Sequence, residues 1–447
     1  MPATVPGVVA TGLIVLAVMV VGALLVPSAA RRGALLVVAL GLLVGTASSA
    51  APEGIRTGAV HGAIVLLAVA AVLPGAPVRR RGGVVVGLTG LSFALALMTT
   101  AVGYPEAIGL TVRVGLLAVG AAWCLLRVSE TDLRVLGVGV VVIGLLEVAL
   151  GVVEFVTGDP VPWGLRHRDV NAYVLVNTLL PGGLERVQGT LGHPIPYGVV
   201  LCVAFVVTIT ARRRVPGPVR VLVGSALVTG MLLSGSRSIV LAAVLAVAVL
   251  IVSATEGRGV VRAAAALLGV VVVVVVFVDE LGVASDRFLS SGSYENRAGT
   301  LRSVPRLLGR PFAEVLFGSG VGTVERLYDE GLFPQDGFWV LDNQLVTTLA
   351  TQGVIGVALM IAVLVVALAT RDPLARALCA VFVGMLVTFD YVFWPSMTVL
   401  AAGATALAGR PTGPDPHLAT VPDPRLATVP DLRRSTRPDP HRPESLA

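Results

Sequence analysis

The sequence predicts an all-α protein, a polytopic bundle of about twelve or thirteen transmembrane helices, and three observations support this prediction. Of the 447 residues, 55% are hydrophobic and only 13% are charged, whereas a soluble domain is normally about 25% charged. The apolar residues are gathered into runs near the roughly twenty residues that a spanning helix needs. Short arginine-bearing loops recur at every second connection between these runs, as they do in polytopic proteins.

The runs can be placed in order along the chain. Each must satisfy its own backbone polar groups inside the bilayer, which a helix does. The run at 218–233 is short, and the last two runs are separated only by Asp390, so the number of spans is about twelve to thirteen. The candidate spans are 7–29, 33–50, 58–74, 83–102, 108–126, 135–156, 195–211, 218–233, 238–254, 261–278, 343–370, 373–389 and 391–408.

The arginines predict the orientation of the chain in the cytoplasmic membrane. The net charge is +6, but the basic residues lie in short loops between apolar runs, which indicates membrane orientation and not nucleic-acid binding. The positive-inside rule then predicts an N-terminus outside and a C-terminal tail in the cytoplasm, with an uncleaved first span. The loops on the cytoplasmic side carry Arg31-Arg32, Arg79-Arg80-Arg81, Arg127 with Arg134, Arg212-Arg213-Arg214, Arg258 with Arg262, and Arg371 with Arg376.

Four regions follow from this layout. N-terminal helices occupy 1–157, and a first outer loop occupies 158–194. A core at 195–409 contains a second, long outer loop at 279–342, which we expect to be ordered and partly helical. The stretch 410–447 is rich in Pro and Arg and repeats an octapeptide from Pro414 onwards, so we expect it to be disordered.

Polar residues that a spanning bundle does not need are concentrated on the predicted outer side. They lie in four segments: RVQGTLGHPIPYG at 186–198, LLSGSRSI at 232–239, ENRAGTLRSVPRLLGRPFAEVLFGSGVGT at 295–323, and DNQLVTTLATQGVIG at 342–356. Arginine on the outer side of a membrane runs against the orientation rule, so these residues indicate a function.

In order and spacing, the four segments resemble the O-antigen ligase/polymerase superfamily of bacterial membrane proteins, and the resemblance covers about 186–370. The ligases of this family usually have His where Asp342 stands, and the family often has Asn where Ile195 stands, so ligase and polymerase both remain open. The positions that match the family's pattern are Arg186, Gly189, His193 and Pro194; Ser236 and Arg237; Arg297; Pro311, Gly318, Gly320 and Gly322; and Asp342, Asn343, Gly353 and Gly356.

The resemblance implies a metal-independent, inverting glycosyltransferase without a cofactor. Its donor would be a glycan on a polyprenyl diphosphate, and its acceptor a glycan or another surface molecule. Guanidinium groups bind phosphate oxygens and stay charged, so Arg237, Arg297 and Arg186 are the candidates for holding the diphosphate. Asp342 and His193 are the candidates for the base that activates the acceptor hydroxyl.

Several of these residues have simpler interpretations. Asp342 or Asn343 can serve as the N-cap of the helix that follows, and His193 can form a local hydrogen bond. Arg302 recurs with two further arginines every four residues, at 306 and 310, which is typical of an amphipathic helix on anionic lipid. This leaves direct contact with the substrate as the other interpretation of Arg302.

Two carboxylates, Glu147 and Glu154, lie seven residues apart on one helix. Intramembrane carboxylates are costly and often functional, so the pair is predicted to line a proton path or the acceptor groove, or to form a structural hydrogen bond. The alternative to an enzyme is a transporter or flippase of lipid-linked saccharides, which would show two related halves. No internal repeat relates the halves of this chain. A third possibility, a scaffold that acts through its tail, needs no outer arginines.

Overall fold

The computed structural model describes 22, 25–78, 80–163, 175–177, 179–180, 183–211, 215–253, 299–335 and 341–410. The candidate span at 261–278, most of the candidate span at 7–29, Arg297 and the octapeptide repeats therefore lie outside the described residues. By its internal contacts the chain divides into a unit at 1–410 and a second unit at 411–447, and only the first falls within the described part.

The described part is helical, which confirms the predicted all-α fold. It contains no strand, and an isolated antiparallel bridge joins Val176 to Glu185. The helices are α1 Arg31–Gly45, α2 Glu53–Val72, α3 Arg80–Gly103, α4 Ile108–Leu126, α5 Glu130–Thr157, α6 Pro194–Thr210, α7 Gly217–Leu233, α8 Arg237–Ser253, α9 Val304–Leu308, α10 Phe312–Phe317, α11 Val324–Asp329, α12 Gln344–Leu368, α13 Pro373–Met385 and α14 Pro395–Leu407.

Six of these helices, α1 to α5 and α12, are long and apolar enough to cross a membrane. Helices α6, α7, α8, α13 and α14 are apolar but shorter, with 17 or 13 residues each. Together they account for eleven of the thirteen predicted spans, and the other two fall in the segments outside the described residues. A multi-pass membrane protein follows from this architecture.

The short helix α14 corrects one predicted boundary. The sequence suggested two spans, 373–389 and 391–408, separated only by Asp390. The structure ends α13 at Met385 and begins α14 at Pro395, so Asp390 lies within a nine-residue connection at 386–394. Pro395 is the first helical residue, a position that tolerates proline because its missing N–H would have no helical partner.

One end of the bundle, which we call the proximal end, is held together by arginines from the predicted cytoplasmic loops. Arg32 is only 2% exposed, and its guanidinium donates to four backbone carbonyls, those of Ala70, Leu73, Pro74 and Arg127. These carbonyls have no helical partner because they lie at or beyond the ends of α2 and α4. Arg32 thereby fixes three helix ends to one another.

Further contacts assemble the rest of the proximal end. The backbone N–H of Gly33 donates to Asp132 across 2.8 Å, and Arg410 donates to Glu130 across 2.8 Å. The start of α3 meets the end of α12 through Arg81. All of these residues lie at helix ends that the alternating topology assigns to the same side.

The opposite end, the distal end, carries the longer connections. Helix α6 begins there, is buried along most of its length, and packs against α5, α7, α8 and α13. The segment 189–191 forms a short, fully buried 3-10 turn, and the Ser48 N–H donates to the Thr190 carbonyl across 3.1 Å. The loop that precedes α6 therefore enters the bundle, and we call it the re-entrant loop.

Candidate functional site

The candidate site lies at the distal end, where the starts of α6, α8 and α12 meet the 386–394 connection. Helices α6 and α8 touch near their starts, since a Cβ added to Gly198 would lie 2.6 Å from Ile239. Helix α8 also packs along α13, and the Gln344 N–H donates to the Leu386 carbonyl across 2.8 Å. These contacts bring His193, Arg237 and the loop after α13 to neighbouring helix ends.

Two of the three predicted diphosphate-binding arginines belong to one corner of this end. The Nε of Arg186 donates to the Ser234 carbonyl across 2.8 Å, three residues before Arg237 begins α8. Asn177 closes the same turn, with its amide donating to the carbonyls of Leu232 and Leu233. The structure therefore gathers Arg186 and the half-buried Arg237, whereas Arg297 lies outside the described residues.

A cavity lies beside Arg186. It has a volume of about 280 Å³, and its walls come from the end of α5 and from the loop at 184–187. The cavity is lined by Phe155, Gly158, Leu184, Glu185, Arg186 and Val187.

His193 is the N-cap of α6. Its Nδ1 accepts a hydrogen bond from the Ile195 N–H across 3.2 Å, so the local bond anticipated from the sequence is present. The imidazole ring stacks on Phe389, with ring centroids 6.3 Å apart, and meets the edge of Trp394 at 6.0 Å. In a neutral imidazole whose Nδ1 is an acceptor, Nε2 carries the proton. This arrangement suits a hydrogen-bond donor better than a base.

Asn343, and not Asp342, caps α12. The Asn343 side chain is fully buried and its Oδ1 accepts from the Val346 N–H across 3.1 Å. Capping accounts for the Oδ1 of Asn343, whereas its buried Nδ2 has no hydrogen-bond partner among the described residues. Asp342 precedes the cap and is half-buried, so the interpretation of Asp342 as the N-cap is wrong.

Asp390 is a carboxylate of this site that the sequence did not single out. Its Oδ1 is shielded from solvent and has no hydrogen-bond partner among the described residues. Burial raises the pKa of Asp390 to about 7; the Thr347 hydroxyl opposes this shift and the charge of Asp342 adds to it. The signal in the sequence was a lone charged residue within an apolar stretch, which is costly unless it has a role.

The connection around Asp390 is held by one buried amide. The Oε1 of Gln344 accepts from the backbone N–H groups of Tyr391 and Val392, across 2.9 and 2.8 Å. Gln344 is fully buried at the start of α12. This contact ties Asp390 to the helix that begins next to Asp342, and it explains why the two carboxylates are close enough to influence each other.

Glu147 and Glu154 face the re-entrant loop and not a cavity. Both side chains are buried, at 3% and 1% exposure. Glu154 accepts from the backbone of Gln188 and Gly189, and Glu147 accepts from the backbone and the hydroxyl of Thr190. Of the roles suggested for this pair, the structure shows the hydrogen-bonded one.

The arginines at 302, 306 and 310 do not share one environment. Arg302 and Arg306 are exposed, whereas the Arg310 side chain is only 4% exposed. Arg310 donates to the carbonyls of Leu349 and Ala350 and to the Ser319 hydroxyl. The expectation of one amphipathic face on lipid is therefore wrong for Arg310, because this side chain binds the interior of α12.

Those carbonyls are available because α12 is broken at Gly353, whose φ of 65° is not helical. The turn at 318–320 inserts at the break, with the N–H groups of Ser319 and Gly320 donating to Ala350 and Thr351 across 3.0 and 2.9 Å. The glycines of this segment, Gly318, Gly320 and Gly322, all have positive φ. A Cβ on any of them would lie within 3 Å of a neighbouring atom, so these glycines allow the close packing.

Among the described residues, no group of three or more His, Cys, Asp and Glu side chains is arranged to hold a metal ion. Cys124, Cys202 and Cys379 are free thiols, and all three are buried. A scan against protein-family models finds no match to the chain, and a search of curated proteins finds no significant relative.

Proposed function

We propose that this protein is a membrane glycosyltransferase that transfers or polymerises a glycan from a polyprenyl-diphosphate donor at the outer face of the cytoplasmic membrane. One observation carries the proposal. At the distal end, arginines from one corner and carboxylates from another lie at neighbouring helix ends around α6. An anionic leaving group and an acceptor hydroxyl need these two kinds of group, and they need them together.

The arginine corner suits the diphosphate. Arg186 and Arg237 remain charged under all ordinary conditions, and Arg237 stands at the start of α8, where the helix dipole also favours an anion. Arg297 completes the proposed set from the long outer loop. These groups would stabilise the charge that develops on the diphosphate as the glycosidic bond forms.

The carboxylates suit the acceptor. We assign the base to the pair formed by Asp342 and Asp390. A carboxylate whose pKa is about 7, as that of Asp390 is, can be deprotonated at neutral pH and still be basic enough to accept a proton. His193 would then donate a hydrogen bond through Nε2, since its Nδ1 already accepts one. Attack on the face of the sugar opposite to the diphosphate would invert the anomeric centre.

The broken helix α12 does not favour the alternative, a transporter or flippase. Transporters use the unwound backbone of broken helices to coordinate substrates or ions. Here the carbonyls of Leu349, Ala350 and Thr351 accept from Arg310, Ser319 and Gly320. The break is therefore filled by the protein's own outer loop.

The test is transfer by the purified full-length protein, supplied with a polyprenyl-diphosphate glycan, with and without a separate acceptor. We expect Arg237→Ala to lower transfer by about 10²–10³-fold, as loss of one charge-stabilising donor does. We expect Asp342→Ala to lower it by about 10²–10⁴-fold, as loss of a general base does. Products formed without an added acceptor would identify a polymerase.

The matched control is Arg326→Ala. Arg326 lies on the exposed surface of α11, where it pairs with Glu330 at 3.6 Å, and its removal should leave transfer unchanged. If Arg237→Ala and Asp342→Ala both retain full transfer, the site assignment is wrong. If the wild-type protein moves the intact lipid-linked donor between leaflets without cleaving it, the transporter is correct instead.

A further inference from the structure

We infer that Glu147 and Glu154 are positioning residues, which hold the loop at 187–192 so that Arg186 and His193, at its two ends, reach one site. The inference rests on the proposed function, to which it adds how the two ends are placed. The carboxylates act through the loop and do not touch the substrate.

The first step is the contact itself. Three consecutive backbone N–H groups, those of Gln188, Gly189 and Thr190, donate to the two carboxylates. The Gly189 N–H lies 2.8 Å from Glu154, and the Thr190 hydroxyl lies 2.5 Å from Glu147. Each carboxylate thus accepts from more than one donor of the loop, so this stretch of backbone is held at several points.

The second step is the fit of the loop. Gly189 and Gly192 both have positive φ, at 54° and 67°. A Cβ at Gly189 would lie 2.8 Å from the Tyr197 ring, and one at Gly192 would lie 2.7 Å from the Ser48 backbone. The loop can therefore occupy this space in only a narrow range of conformations.

The third step is what the loop carries. The Val187 N–H donates to the Leu233 carbonyl across 3.1 Å, and the adjacent Arg186 binds Ser234. At the other end, His193 caps α6. The carboxylates bind the middle of the loop, so loss of these hydrogen bonds would displace Arg186 and His193 relative to each other.

The experiment compares Thr190→Val with Thr190→Ser in the full-length protein. Valine keeps the shape of threonine but removes the hydroxyl, which contacts both Glu147 and the Val44 carbonyl, whereas serine keeps it. We expect Thr190→Val to lower kcat/KM for the donor by about 10- to 100-fold, the cost of displacing a catalytic group by about 1 Å. Backbone amides at 186–193 should exchange hydrogen faster in this variant, and serine should restore both properties.

Glu147→Gln provides a second variant. The carboxylate accepts from the Thr190 N–H and hydroxyl, and a glutamine would place its own N–H donor against one of these two donors. Faster exchange together with lower kcat/KM would support the inference. Unchanged exchange, or faster exchange with unchanged kcat/KM, would overturn it. Absence of transfer activity in the wild-type protein would overturn the proposed function instead. The hydrogen-exchange measurement would then still test whether the carboxylates hold the loop in place.

Discussion

At the residue scale, several charged side chains in the described part of the bundle bind the backbone. Arg32, Arg186 and Arg310 all donate to carbonyl oxygens at helix ends or breaks. A guanidinium group offers five donors and does not lose its charge, so one side chain can satisfy several carbonyls that water cannot reach. Arg32 was predicted to orient the chain and Arg310 to contact lipid, and both also stabilise the bundle through these hydrogen bonds.

Asp390 leads to a prediction about pH. We expect wild-type transfer to rise with pH through about 7, as Asp390 loses its proton, and Asp390→Asn to lose this rise. The charge of Asp342 raises the pKa of Asp390, so Asp342→Asn should move any remaining rise to lower pH. The measurement is kcat against pH for the three proteins, and a profile shared by all three would contradict the assignment.

The same group affects stability in a direction that can be worked out. The pKa of Asp390 is about 7 in the folded protein and about 3.9 in an unfolded chain. Between these values the folded protein binds more protons, so the stability contributed by protonated Asp390 is lost as pH rises through 7. Thermal unfolding of the wild type should show this loss, and Asp390→Asn should not.

At the scale of elements, hydropathy identified which segments are helices but not where they end. The mostly apolar residues at 386–394 were predicted to belong to two spans, yet the backbone there is not helical. Helices α13 and α14 have 13 residues, or about 20 Å at 1.5 Å per residue, less than the roughly 30 Å hydrocarbon core. Composition alone does not distinguish an apolar connection buried in protein from a helix in lipid.

The break in α12 gives a prediction about stability. Gly353→Ala should lower the free energy of unfolding by about 2–4 kcal/mol, because alanine strains a positive φ and crowds neighbouring backbone. A Cβ at this position would lie 2.6 Å from the Gly318 nitrogen. Denaturant unfolding in detergent, followed by circular dichroism, measures the change.

Gly87→Ala is the matched control for this substitution. Gly87 lies within α3, and a Cβ there would meet nothing within 4 Å. Alanine favours a helix over glycine by up to about 1 kcal/mol, so the control should be as stable as the wild type or more so. Equal losses in both variants would show that the break does not require glycine.

At the scale of the whole molecule, the sequence predicted the all-α architecture and the alternation of helix ends. Within the described residues, the arginine loops at 31–32, 80–81 and 127–134 meet at the proximal end, and the segments at 186–198, 232–239 and 342–356 lie at the distal end. The sequence could not predict which distal residues meet, because the contacts of His193 with Phe389 and of Gln344 with Val392 join positions far apart in the chain. Helical periodicity carries no information on such pairings.

The predicted orientation can be tested by labelling. In a protein whose three native cysteines are replaced by alanine, we expect Asp329→Cys to react with a membrane-impermeant maleimide in intact cells. Pro77→Cys, at the proximal end, should react only after the cells are permeabilised. The reverse pattern would place the candidate site on the cytoplasmic side and exclude a donor at the outer face.

The order of synthesis gives the break in α12 a consequence for assembly. Residues 310–320 leave the ribosome before 349–353, so the donors that fill the break precede the helix that needs them. Without these donors, the half-helix at 344–352 would enter the bilayer with carbonyl groups that have no hydrogen-bond partner, which is costly in hydrocarbon. The segment at 310–320 is thus available as a template on which α12 can finish folding.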